Sequence, residues 1–379
     1  MRVLHVIAGL ASSDGGPARA VQECAAASAL RGHRVRVLAT DAGLGPGRHP
    51  ESPGGAVSYE LFPHVGDGPL RYSRGLNSAI RHHVARADVV HVHSLYMPHT
   101  LVSLSAAERA GVPCVVRPHG TLDSYQRRRH RVRKSLWDLV TRQHVRLGAA
   151  GVVLHAVSAV EASQIREAVP DAHVEVAELG VAGPEPQAPA ERPTVLFLGR
   201  IAEKKRLDVL FGAMKRVVDV HAAPGPPPVL VLAGERPTDV ARVDRMLEVA
   251  GVRAYVERVG VVDGARKAAL LATAWCTALV SEDENFGVAV AESLVAGVPV
   301  VVSDEVAIAD FVRANPAGGV VVPVGDERAA ALALRALLDR PRGLEERRRL
   351  SADAVARFGL QGLGERLDVL YRAAGAAGP

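Results

Sequence analysis

Aromatic residues are scarce in this sequence, 4% of 379 positions, and two of them are tryptophan. A protein that grips single-stranded nucleic acid by stacking bases on its rings needs more, so that class is excluded. Cysteine is scarcer still. Cys24, Cys114 and Cys276 are an odd number, widely spaced inside apolar runs, which suits neither a disulfide framework nor a cysteine-ligated zinc site. No apolar run approaches the roughly 18 residues that cross a bilayer. The opening residues, MRVLHVIAGLASSDGG, lack the long apolar region and cleavage site of an export signal. A cytoplasmic protein is expected, with any membrane contact peripheral and at the inner face.

What is present is ordinary globular chemistry, 48% hydrophobic and 23% charged residues, in a chain long enough for two or three domains of about 150 residues. The net charge of +5 is unevenly spread. Residues 1–150 carry 20 basic against 10 acidic side chains, and residues 151–379 carry 26 against 31. A basic first half suits an anionic partner such as a phosphorylated substrate, an acidic membrane surface or nucleic acid.

Short valine-rich runs alternate with Ala/Leu/Arg-rich amphipathic stretches from the first residue. RVLHVI, RVRVLA, DVVHVH and residues 113–117 read as strands, with helices over 17–31 and 99–110. After HVEVAELGV comes the Pro-rich AGPEPQAPAERP, read as a linker, and the alternation restarts at TVLFLG. Helices are expected near 205–220, 237–250, 265–273 and 286–296. Such alternation implies parallel, doubly wound α/β sheets with ligands at the carboxyl ends of the strands. The expected organisation is a Rossmann-like domain over 1–185, a linker over 186–193, a second Rossmann-like domain over 194–357, and a helix over 358–379 that returns to the first domain. A substrate cleft is expected between the sheets.

The most specific motif is SEDENFGVAVAESLVAGVPVVVSD. Glu284 and Glu292 stand eight positions apart around a strand-to-helix turn, Asn285-Phe286-Gly287. Glu292, two turns into the expected helix, can accept hydrogen bonds from a diol such as a ribose. The helix-start amides from Phe286 through Val288 to Ala289 can bind phosphate oxygens, and Gly287 lets the backbone come close. In FLGRIAEKKRLDVLF, Arg200 and Lys205 follow a strand end, where two cations suit a departing pyrophosphate. In the loop after the first strand, Asp14-Gly15-Gly16-Pro17 precedes a helix. Its spacing is not that of a nicotinamide-binding fingerprint, and paired glycines also serve ordinary turns.

His119 lies just past a strand end in VVRPHGTLDSY, flanked by Arg117 and Asp123, which are candidate acceptor contacts. His91, His93 and His99 in VVHVHSLYMPH raise the question of a metal, because H-x-H puts two imidazoles on one strand face. The further ligands such a site needs are not apparent, and a structural or acceptor-lining role is preferred. Between residues 127 and 146, Arg127, Arg128, Arg129, Arg131, Arg133, Lys134, Arg142 and Arg146 are interleaved with Leu136, Trp137, Leu139 and Val140. A basic helix with an apolar stripe can lie on an anionic membrane, and it can equally be a solvated helix whose Leu and Val face the core.

ENFG-x4-E followed by AGVPVVVSD resembles the retaining glycosyltransferases of family 4, whose fold is called GT-B. The resemblance implies that Glu284 contacts the donor sugar hydroxyls and Glu292 the nucleotide ribose. It implies that the domain over 1–185 binds the acceptor and that over 194–357 the nucleotide sugar, that His119 faces the donor sugar, and that the loop of Gly15 and Gly16 lies at the donor phosphates and the acceptor, with Asp14 a candidate acceptor contact. The family's G-R-x4-K-G is similar to Gly199, Arg200 and Lys205, with Arg206 in place of the last Gly. Leu179 stands where the family often has Asn. The activity implied by the resemblance is that of a metal-independent hexosyltransferase without a cofactor, using a nucleotide sugar, UDP-linked by expectation. Its acceptor would be a saccharide or a lipid-linked saccharide, and nucleic acid is not a partner. His119, Arg200, Lys205 and Glu284 would carry catalysis. The alternatives are transfer to a small-molecule secondary metabolite and a nucleotide-sugar epimerase of the same fold.

Overall fold

The computed structural model describes every residue except 12–13, 45–54, 67, 69, 124–130, 222–224 and 377–379, and of residues 131–133 the backbone alone. The chain forms two compact units, Met1–Gly180 joined by Leu360–Pro379, and Val181–Gly359.

In the first unit seven parallel strands, β1 (Arg2–Gly9), β2 (Arg34–Thr40), β3 (Val57–Phe62), β4 (Val89–His93), β5 (Cys114–Arg117), β6 (Val152–Ala156) and β7 (His173–Val176), stand in the order β3-β2-β1-β4-β5-β6-β7. The reversal beside β1 is the mark of a doubly wound sheet. The central strands are apolar on both faces because helices cover both. The C-terminal helix Leu360–Ala373 packs on Gly16–Leu30, burying Leu363, Leu367, Leu370 and Tyr371 with Val21 and Cys24. Asp368 fastens it by accepting from Arg31 Nε at 2.9 Å and by pairing with His33 Nε2 at 2.6 Å.

The second unit repeats the plan with six parallel strands, β8 (Thr194–Leu198), β9 (Val229–Ala233), β10 (Val256–Gly260), β11 (Cys276–Leu279), β12 (Val300–Ser303) and β13 (Gly319–Val322), in the order β10-β9-β8-β11-β12-β13. The Pro-rich segment read as a linker belongs to the second unit, where Ala190 O accepts from Trp275 Nε1 at 2.6 Å and Gln187 O from the fully buried Arg347 at 3.2 Å. The first unit's main segment ends at Gly180, five residues before the expected boundary at 185.

Candidate functional site

In the second unit the strand ends gather the predicted donor-side residues. After β8 comes a short 3-10 turn, Glu203–Lys205, and after β11 the acidic loop from Glu282 to Asn285. The two loops are joined by a backbone hydrogen bond from Glu282 N to Lys204 O at 2.9 Å. Across that seam Lys205 Nζ pairs with Glu284, Lys204 lies 3.4 Å from Asp283, and Arg206 lies 3.7 Å from Glu282. Lys205 and Glu284, which belong to separate motifs, are therefore direct partners.

Glu284 is also held by its backbone. Its N–H donates to Glu305 O at 3.3 Å, and its carbonyl accepts from Ala307 N at 3.1 Å. Arg200 is exposed and has no hydrogen-bond or ion-pair partner among the described residues.

Arg206 sits at φ 47°, a backbone conformation that favours glycine. Its guanidinium is claimed mainly by Asp208 at 2.8 Å. The charge that replaces the family's glycine is thus neutralised locally.

The turn that opens the next helix is built as expected but two residues later. Gly287 caps the helix Val288–Val295 at φ 92°, and a Cβ there would stand 2.9 Å from Val306 Cγ1. Glu292 is accordingly the fifth helical residue, little more than one turn in, instead of two. It is buried, and Lys267 Nζ donates to its carboxylate at 2.7 Å. Lys267 belongs to the helix Gly264–Thr273 and carries no motif that singles it out. The Phe286 ring is buried against Phe358, so what Phe286 can offer a ligand is its amide. The first amides of the helix, at Val288 and Ala289, have no partner within it. Asn285 Oδ1 is buried with no hydrogen-bond partner among the described residues.

The predicted residues of the first unit divide into a loop and a turn. Asp14 accepts from Ala11 N at 3.2 Å and pairs with Arg71, a residue that no motif marks. Gly15, at φ 70°, precedes Gly16 and Pro17 at the start of their helix. His119 occupies the turn after β5 at φ 54°, a strained conformation for a residue with a Cβ. The turn is pinned by Glu161, buried at the start of the helix Ala159–Ala168. Its carboxylate accepts from Gly120 N at 3.0 Å and Val157 N at 2.8 Å. Arg117 and Asp123 are both buried, and Nε and Nη1 of Arg117 have no partner among the described residues.

The histidines form more than the pair that H-x-H suggests. Register sets His5 on β1 beside His91 on β4, and Arg117 beside His93. His155 on β6 comes level with His93 two positions beyond Val153, the partner of Val115. His5, His91, His93 and His155 are fully buried, and His119 alone in the group keeps partial exposure.

Two chains of contacts link the rings. In one, His5 Nδ1 lies 3.2 Å from His93 Nε2, and His93 Nδ1 lies 3.1 Å from His119 Nε2. In the other, His155 Nε2 lies 2.8 Å from Ala177 O, His155 Nδ1 3.3 Å from His91 Nε2, and His91 Nδ1 3.2 Å from the Tyr371 hydroxyl. Burial pushes His5 and His155 down to about 3 and His99 to about 4. It also holds His91, His93 and His119 well below the usual imidazole value. All six rings are neutral at pH 7.

Nitrogens of His5, His91 and His93 lie within 4.8 Å of one another, a spacing that could interest a metal ion. Five of their six ring nitrogens are, however, already engaged by neighbours. His91 and His93 are also stacked at 4.3 Å with planes 26° apart, so their in-plane lone pairs do not converge. The arrangement fits hydrogen bonding better than ligation. His99 donates from Nε2 to His93 O at 2.9 Å, a structural role.

Comparison with known proteins matches both units. The family described as glycosyl transferases group 1 matches residues 184–357, and the glycosyl transferase 4-like domain matches residues 15–180. A phosphatidyl-myo-inositol mannosyltransferase of Mycobacterium leprae is 34% identical over 172 residues, which is 44% of this chain and 42% of that protein. Among solved structures, sucrose-phosphate synthase from Thermosynechococcus elongatus superposes with a TM-score of 0.70 at 20% identity, covering 99% of both chains. Anabaena HepE in complex with UDP and glucose gives 0.69 at 16% identity, covering 98% of this chain and 100% of that one. At these identities the structural likeness is one of fold. With both units matched in sequence and the whole chain in fold, the protein belongs to the group 1, or family 4, glycosyltransferases of the GT-B fold.

Proposed function

We propose that this protein moves a hexose from a UDP-linked donor to a saccharide or lipid-linked saccharide acceptor, with retention at the anomeric carbon and without a metal ion. The observation that carries the reading is the Lys205–Glu284 pair at the strand ends of the second unit, with the exposed Arg200, which has no partner among the described residues, on the same loop as Lys205.

In this mechanism the bond from the anomeric carbon to the diphosphate breaks, and its electron pair leaves on the phosphate oxygen. Arg200, Lys205 and the amides at Val288 and Ala289 balance that growing negative charge. The acceptor oxygen bonds to the same face of the sugar, and its proton passes to the departing phosphate. Glu284 holds donor sugar hydroxyls and Glu292 the ribose. HepE, of like fold, is described in complex with UDP and glucose, which supports the choice of donor.

Incubation with UDP-sugars and a saccharide acceptor tests the reading. UDP release should require acceptor and persist in EDTA, and the product should keep the donor's anomeric configuration by NMR. Isomerised sugar nucleotide without acceptor would point to an epimerase. Activity lost in EDTA and restored by manganese would assign the leaving-group charge to a metal.

Because a ribose is bound alike in the ground and transition states, Glu292→Gln should weaken nucleotide binding about tenfold and leave kcat within about threefold. Calorimetry with UDP and steady-state kinetics would separate the two. A lost kcat at unchanged UDP affinity would remove the ribose role.

The finer reading adds an anionic membrane surface. In the helix Arg131–Thr141, Leu136, Leu139 and Val140 are exposed, so the apolar stripe does not face the core. A cavity of about 370 Å³ beside it is lined by Arg81, Arg109 and Arg146. Arg127, Arg128 and Arg129 lie outside the described residues. Changing those three to Ser should reduce sedimentation with phosphatidylglycerol vesicles about a hundredfold, at about 1 kcal/mol per basic residue. Salt should do the same to the wild type. Equal sedimentation with neutral and anionic vesicles would favour a soluble acceptor.

A further inference from the structure

The direction of a hydrogen-bonded chain of neutral imidazoles can be read from its ends. In the chain through His155, a carbonyl fixes one end. Ala177 O can only accept, so His155 carries its proton on Nε2 and accepts at Nδ1 from His91 Nε2–H. His91 Nδ1 is then an acceptor for the Tyr371 hydroxyl. Every proton in this chain has a partner, and it ends at the C-terminal helix.

The chain through His5, His93 and His119 has no carbonyl at either end. Three neutral rings carry three protons, and the two contacts use two of them. The third must sit at one extremity, on His5 Nε2 or on His119 Nδ1. His5 Nε2 is buried with no hydrogen-bond partner among the described residues. A proton there would be an orphaned buried donor, and orphaned N–H groups are the rarer kind of unsatisfied group. His119 Nδ1 belongs to a ring that keeps partial exposure. The lower-energy arrangement runs outward: His5 Nδ1–H donates to His93 Nε2, His93 Nδ1–H donates to His119 Nε2, and the spare proton stands on His119 Nδ1.

We propose that His5 and His93 are positioning residues that hold His119 as its Nδ1–H tautomer, so that His119 meets its ligand as a neutral hydrogen-bond donor. The ligand atom opposite must be an acceptor oxygen. On the transfer reading above, on which this identification of the ligand rests, it is a hydroxyl oxygen of the transferred sugar. The direction of the chain itself does not depend on that reading. The arrangement also explains why a buried row of rings runs back from the turn to a strand. A lone imidazole at a strained turn would be free to exchange tautomers, and the neutral Nε2–H form would offer the ligand a lone pair instead.

The test uses the whole chain labelled with 15N at histidine, with the His119 signals assigned from His119→Ala. Long-range 1H–15N correlations at pH 7.5 should place the proton of His119 on Nδ1. His93→Asn puts a side-chain amide donor near the position of Nδ1 and should keep that tautomer. His93→Leu cannot donate and should move His119 toward Nε2–H. On UDP-sugar turnover His93→Leu should lower kcat by ten- to a hundredfold, the usual cost of losing a partner that orients an imidazole, at nearly constant KM. His93→Asn should recover most of that loss. A wild-type His119 protonated on Nε2, or a His119 tautomer the same in all three proteins, would overturn the proposal. If His93→Leu does not fold, His93→Gln, whose amide reaches toward the position of Nε2 and does not replace the Nδ1–H donor, takes its place and should likewise move His119 toward Nε2–H. A wild type with the expected tautomer and no transfer to any acceptor would count against the function and leave the chain of hydrogen bonds standing.

Discussion

Below about pH 5.5 the first unit should unfold while the second remains folded. Fourteen of the fifteen histidines lie in residues 1–180, and His221 is the one in the second unit. His5, His91, His93, His99 and His155 are fully buried and neutral in the native state, with His5 and His155 at about 3 and His99 at about 4. In the unfolded chain each returns to an ordinary value of about 6.5. Their folded values are depressed, so their contribution is full above pH 6.5 and is lost as pH falls toward 4, where only the unfolded state takes up protons. At pH 5 each of His5, His99 and His155 costs about 2 kcal/mol, and His91 and His93, also held down by burial, act in the same direction. The three alone cost about 6 kcal/mol, within the range of the whole stability of a domain, about 5–15 kcal/mol. Hydrogen exchange followed by mass spectrometry across pH 7 to 4 would resolve the units. Peptides from β1, β4 and β6 should lose protection together, well before those from β8 and β11. A first unit still protected at pH 4, or both units opening together, would mean that the rings are not buried neutral.

Much of the fold is legible in the sequence because its central strands are buried on both faces, and valine-rich runs such as RVLHVI and TVLFLG report that directly. The strands without such a signal are exposed ones. VSYELF has one fully buried residue out of six and HVEV one out of four, so neither shows a continuous apolar run. The donor-side motifs are legible for a different reason. Lys205 and Glu284 each follow a strand end in their own segment, and parallel strands bring their carboxyl ends to one side. What a single sequence does not carry is register. His5, His93 and His155 are spread over 150 positions, each in an apolar run that reads as core, and their meeting depends on which residue pairs with which across β1, β4, β5 and β6. Lys267 is hidden because its partner Glu292 is buried on a neighbouring helix, with nothing in the local pattern to mark the pair. Arg206 shows the opposite case, a sequence departure with a local effect. The chain keeps the left-handed turn that glycine would adopt, and the added charge is drawn off by Asp208 and Glu282.

Removing either Arg200 or Lys205 from the donor site should cost turnover, and the two should differ in how. Arg200 is exposed without an internal partner among the described residues, so Arg200→Ala should leave stability within about 0.5 kcal/mol. Its effect should fall on the departing diphosphate, with kcat lower by about 10²- to 10³-fold, the cost of losing one preorganised transition-state donor. Lys205 is already paired with Glu284 before any donor arrives. Lys205→Ala removes the cation that faces the leaving group and also leaves the Glu284 carboxylate without its counter-charge beside an incoming diphosphate. Donor affinity should therefore fall together with kcat, and the fall in affinity should ease in Lys205→Ala/Glu284→Gln, where the repelling charge is gone. That recovery is a coupling between touching residues, which a double-mutant cycle measures directly. Steady-state kinetics with UDP-sugar, UDP calorimetry and melting curves on the wild type and these variants give all the quantities needed. Turnover like that of the wild type in both single variants would take leaving-group stabilisation away from this pair. Equal donor affinity in Lys205→Ala and the double variant would mean that Glu284 does not face the diphosphate at all.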